Sequence, residues 1–207
     1  GQGFRYASNV LWGGYGAIPT NTIFDFDTDA AALTLTLGTT TGAITGFRAM
    51  HARPEASEVL ESNIVGYLGT QIGRSAVLLG MEEVRCYWEV TDEDSADCES
   101  RADRRNRASQ IGMFGGAAAG LGLSRLYGSR WSMEREDLFF ASVVGAEAAW
   151  FAGWIPDAFE LDRQASYFVN AGFHGGAAAA FALSHHVPIR EETSALVGYG
   201  ALAGNAL

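Results

Sequence analysis

Apolar runs in this chain are interrupted by small residues at every fourth position and bounded by short polar stretches. The small residues are Gly38, Gly42 and Gly46; Gly66, Gly69 and Gly73; Gly112, Gly116 and Gly120; Gly145, Ala149 and Gly153; Gly172, Gly176 and Ala180; and Gly200 with Gly204. Spacing by four places them on one face of an α-helix, whereas a strand would need spacing by two. The first members of successive sets lie 28, 46, 33, 27 and 28 positions apart, so the unit is near 28 residues with one insertion. Capping and acidic residues such as Thr28, Asp29, Ser57, Glu58, Ser132, Glu134 and Asp162 precede the runs, and Arg48, Arg74 and Arg125 follow the glycines. That polarity suits the helix dipole and its N-cap chemistry. The pattern predicts helices over 29–49, 57–79, 108–127, 134–154, 163–184 and 191–206, with Pro54, Pro156 and Pro188 in the gaps.

The predicted fold is mainly α: a bundle or repeat array of about six helices with small-residue, glycine-zipper packing faces. Glycine inside a helix costs about 1 kcal/mol relative to alanine, so repeated glycines imply close approach of neighbouring backbones. Two places compete for β structure. Residues 4–27, rich in aromatics and glycine, also suit a short hairpin, and Leu33-Thr34-Leu35-Thr36-Leu37 alternates as a strand does. The chain therefore divides into an aromatic and glycine-rich segment 1–27, two helical repeats 28–79, a charged insertion 80–106 and four helical repeats 107–207, all within one domain.

The insertion carries both cysteines, Cys86 and Cys98, flanking the hydrophilic run Thr91 to Asp97, which reads as a loop tip. They lack the CxxC spacing of zinc or redox sites, and a disulfide closing the insertion is the preferred reading. A disulfide implies an exported protein of a bacterial-type envelope or the exterior. The opening Gly1-Gln2-Gly3-Phe4-Arg5 lacks a leader pattern, which fits a mature or trimmed product.

Charge narrows the partners. With 14 basic residues, all arginine, against 24 acidic ones, the net charge is −10 and nucleic acid is excluded as a partner. A mean hydropathy of +0.04 argues against six membrane crossings, although one or two spans fit, with 138–155 the best stretch, and membrane contact stays open.

Candidate chemistry is sparse. Asp25, Asp27 and Asp29 alternate as calcium-loop carboxylates do, but Ala30 stands where the turn glycine is needed. Glu147 and His174 sit in apolar helices, where facing each other they would make a weak metal or acid–base pair. No nucleophile elbow, dinucleotide loop or metal spacing accompanies them, so no catalytic residue, metal or cofactor is assigned. The leading expectation is a non-enzymatic structural or assembly protein, joining itself as a homo-oligomer or filament, or joining other envelope subunits, through its glycine faces. The alternatives are an integral-membrane subunit of a larger complex, and a small enzyme or ligand-binding module using Glu147 and His174.

Overall fold

The computed structural model describes residues 2–50, 56–81, 92–127, 134–161, 165–184, 186–187 and 192. Within them every regular element is helical: α1 (Gln2–Phe24), α2 (Thr28–Met50), α3 (Ala56–Gly80), α4 (Asp92–Tyr127), α5 (Arg135–Gly153), the single turn α6 (Ile155–Ala158) and α7 (Ala165–Ser184). The helix expected over 191–206 lies outside the described residues.

Both β expectations fail. Residues 2–24 form one helix, which accommodates even the buried Pro19. Asn9, Gly13 and Ala17, spaced by four, give it a narrow face that lies against α2. The Leu33–Leu37 alternation is helical because the intervening hydroxyls fold back. Thr34 Oγ1 donates to Ala30 O and Thr36 Oγ1 to Ala32 O, each at 2.8 Å. β-branched threonine thereby hides its polar atom on the preceding turn.

The insertion is also not a loop throughout: from Asp92 onward it is the first part of α4. Asp97 pairs with Arg101 one turn on, at 3.0 Å.

Helix ends follow from local chemistry. Asp25 takes the left-handed conformation at φ 54°, and Phe26 N–H reaches back to Asn21 O at 3.1 Å, a Schellman close of α1. Asp27 Oδ1 then accepts from Ala30 N–H at 2.8 Å and caps α2. The same device ends α6, with Glu160 at φ 52° and Leu161 N–H bonded to Pro156 O at 2.8 Å. At the start of α5, Glu134 and Asp137 form a capping box, which accounts for the buried Asp137 carboxylate.

The helices pair as antiparallel hairpins, α1 with α2, α3 with α4, and α5 with α7. The α3–α4 hairpin is central: α1 packs on both of its helices, and α7 packs on α3. Among the described helices α2 touches only α1, and α5 touches only α7 and α6. The buried apolar cluster lies in the α5–α7 hairpin, with Ala141, Ala180 and Phe181 flanked by Phe140 and Val144 and, from α3, by Val65.

Candidate functional site

Each hairpin is closed by glycine. In the first, a side chain added at Gly38 would strike Gly13, while Gly42 lies under Asn9 and Gly46 under Tyr6. In the second, Gly69 faces Gly116, Gly73 faces Gly112, and Gly120 faces Val65 and Gly66. In the third, Gly145 lies beneath Phe173 and Ala177, Gly172 beneath Ala148 and Ala152, and Gly176 beneath Val144 and Ala148. Gly153 is looser, meeting only a Val169 methyl at 3.2 Å. Gly66 also admits the Trp12 ring, whose nearest carbon would stand 2.8 Å from an added Cβ. Nearly all the predicted packing glycines are thus occupied within the chain. Gly200 and Gly204 lie outside the described residues.

The distribution of polarity is inverted. The buried set is mostly alanines and polar groups, the latter including Ser8, Glu61, Thr70, Ser75, Arg105, Ser109, Ser124, Asp137 and His174, with Val59, Leu68 and Phe181 as its larger apolar members. Large apolar side chains face outward instead: Leu33 is 60% exposed, Phe47 58%, Leu126 73% and Phe151 68%. Charge follows the same plan. Residues 6–24 of α1, 30–47 of α2, 108–124 of α4 and 165–184 of α7 contain no Asp, Glu or Arg. Beyond their first turns α3 holds two, Glu61 and Arg74, and α5 one, Glu147. Asp25, Asp27, Asp157 and the 97–107 stretch fall at one end of the bundle; Arg5, Arg48, Glu58 and Arg125 fall at the other.

Polar side chains join the hairpins. Asn63 Oδ1 accepts from Ser8 Oγ at 2.6 Å and from Trp12 Nε1 at 2.7 Å, tying α3 to α1. The Ser62 and Ser124 hydroxyls share a 2.8 Å hydrogen bond, and Ser75 Oγ donates to Asn170 Oδ1 at 3.2 Å. The buried Arg105 lies over the Tyr167 ring at 4.8 Å and reaches Leu78 O. Glu61, 1% exposed, has neither carboxylate oxygen hydrogen-bonded. It sits one helical turn from Val65, on the flank of the apolar cluster. An unpaired carboxylate in such a place is costly to bury.

The expected chemistry does not assemble. His174 turns toward α3, meeting the Tyr67 ring at 5.6 Å, while its Nδ1 lies 2.9 Å from Asn170 O. Helix α5, which carries Glu147, packs on the opposite Gly172 and Gly176 face of α7, so the two residues sit on different sides of that helix. Asp25 pairs with Arg107 at 3.1 Å and Asp27 caps α2, so with Asp29 they serve the turn. Among the described residues no group of three metal-ligating side chains converges. Cys98 is buried on α4 and is not a free thiol; Cys86 lies outside the described residues.

One cavity stands between α1, α3 and α4, at the end of the bundle that holds Arg5 and Arg125. It measures about 340 Å³ and is lined by Arg5, Ser8, Trp12, Ser62, Asn63 and Arg125, among others. None of these was singled out as a site residue by motif or spacing. Their convergence depends on the hairpin packing, and only the polar positions inside apolar helices mark them in the sequence.

Comparison with known protein families, with curated proteins and with solved structures gives no match.

Proposed function

We propose that this chain is a non-catalytic, membrane-embedded structural subunit, with its outward aromatic and aliphatic side chains in contact with lipid. The observation that carries the reading is the inversion of polarity, hydroxyls and glycines inside and most of the large Leu, Ile, Phe and Trp side chains outside. In hydrocarbon, helices associate through small-residue packing and interhelical hydrogen bonds instead of apolar burial, and those are the bonds found here. Helices of 20 to 25 residues, as in α1, α2, α3 and α7, match a hydrocarbon core of about 30 Å. The stretch Glu136–Ala158 is long and apolar enough to cross a membrane by composition alone, and only 17% of it is buried in the protein. Low average hydropathy reflects threonine-rich α2 and the charged stretches between spans; Thr34, Thr36, Thr39 and Thr45 of α2 satisfy their hydroxyls on the helix itself. A disulfide between Cys86 and Cys98, and with it an exported, envelope location, belongs to the same proposal.

The second reading, assembly of copies in water, draws on α2, whose outward Leu33, Leu37 and Ile44 have no helix against them among the described residues. It would use these outer faces, because the glycines are already engaged inside the chain. Light scattering with and without detergent separates the two. The membrane reading expects a single species only in detergent, and retention in membranes washed with alkaline carbonate. A detergent-free oligomer that strengthens with salt would instead favour assembly, since screening relieves repulsion between copies of net charge −10. A detergent-free monomer at all salt concentrations overturns both.

A further inference from the structure

The cavity between α1, α3 and α4 is built from donors. Asn63 Oδ1 is committed to Ser8 and Trp12, which leaves its Nδ2 as the free end of the amide. Arg5 and Arg125 line the cavity, and among the described residues neither guanidinium makes an ion pair. Among the described residues no carboxylate lines it: Glu58 and Glu61 are the nearest acidic residues on α3, and neither belongs to the wall. Two guanidiniums, an amide donor and the Ser62 hydroxyl around about 340 Å³ form a pocket for an anion the size of a phosphate ester. Its position adds a second constraint. Arg5 begins α1 and Arg125 ends the uncharged run of α4, so the pocket lies where the apolar surface of the bundle stops.

We propose that this cavity binds a phosphate group, and that the group is the headgroup of an anionic phospholipid whose chains continue along the apolar face below. The lipid source rests on the membrane reading; the phosphate chemistry does not. Guanidinium groups between helices at a membrane boundary are suited to that recognition, holding the phosphate by paired N–H donors.

The test uses the full chain, purified in a mild detergent, with native mass spectrometry after incubation with phosphatidylglycerol or phosphatidylcholine, and a parallel titration with glycerol 3-phosphate. Phosphatidylglycerol is expected to be retained at least about tenfold more than phosphatidylcholine. The double variant Arg5→Gln/Arg125→Gln should abolish that preference, Arg5→Lys/Arg125→Lys should restore part of it, and Arg48→Gln, at the same end of the bundle, should leave it intact. Glycerol 3-phosphate binding that is lost in the double variant supports the phosphate site with a soluble source, and holds even if the protein needs no detergent. Equal retention of both lipids without glycerol 3-phosphate binding, or a preference unchanged in the correctly folded double variant, overturns the proposal.

Discussion

The α3–α4 and α5–α7 hairpins solve the same packing problem with different atoms. Along α3–α4 the opposed positions are glycine on both helices, so the nearest atoms across the seam at Gly69, Gly73 and Gly116 are carbonyl oxygens of the other backbone. Along α5–α7 methyl groups enter the seam as well: an added Cβ at Gly176 would stand 2.5 Å from the Ala148 Cβ, and one at Gly172 would stand 2.5 Å from the Ala148 carbonyl oxygen and 2.6 Å from the Ala152 Cβ. The first seam is therefore backbone on backbone, with nothing left to trim. The second keeps a layer of methyls that can be exchanged between helices. A shared four-residue spacing thus conceals two tolerances to substitution.

The largest effect is expected from a bulky side chain in the first seam. Gly116→Leu has to push apart two backbones along the centre of the bundle, and should cost about 3 kcal/mol or more, with loss of the folded state in thermal melts. Gly153→Leu, in the looser part of the second seam, needs only the Val169 side chain to move and should cost clearly less. Equal melting temperatures for the two variants would erase the distinction between the hairpins.

A double-mutant cycle sharpens it. Gly176→Ala alone should cost about 1–2 kcal/mol through its clash with Ala148. Adding Ala148→Gly moves the methyl to the other helix, and the helix-propensity terms nearly cancel, so the pair should recover about 1 kcal/mol. Gly116→Ala has no such partner, because the residue opposite is already Gly69. Additive losses in the Gly176 and Ala148 pair would show that the second seam is as rigid as the first.

Much of this architecture is legible in the chain, and the gaps have physical causes. Spacing by four located α2, α3, α5 and α7 to within a residue or two of Thr28–Met50, Ala56–Gly80, Arg135–Gly153 and Ala165–Ser184. It missed α1 because paired glycines, aromatics and Pro19 obscure the set Asn9, Gly13 and Ala17. It gives too short an α4 because the charged run 92–107 lacks the small-residue spacing, although its Ala, Arg and Glu are strong helix formers. The uncharged centres of the helices were present in the sequence as well. Averaging hydropathy over the whole chain hid them, since the charged residues cluster outside the helix centres. The Asn63 bridge and the Arg5 and Arg125 cavity were beyond reach, because each needs side chains from two or three helices whose mutual register only the folded seams establish.

The smallest effect comes from the glycines that are not in a seam. Gly115 is adjacent to Gly116, yet an added Cβ at Gly115 would meet nothing within 4 Å, and its position is exposed. Neither glycine has a positive φ, so neither is required by backbone conformation. The one difference between them is what lies across from each. Alanine at Gly115 removes conformational freedom from the unfolded chain and restores helix propensity without a clash, so Gly115→Ala should stabilise by about 0.5–1 kcal/mol. Gly116→Ala makes the same gain in propensity but must displace the Gly69 carbonyl, and its net effect should be a loss. Opposite signs at consecutive residues, read as a rise and a fall in melting temperature in the same detergent, cannot arise from propensity alone. A rise for both would mean that the α3–α4 backbones lie farther apart than a methyl group, and the difference between the two hairpins would vanish.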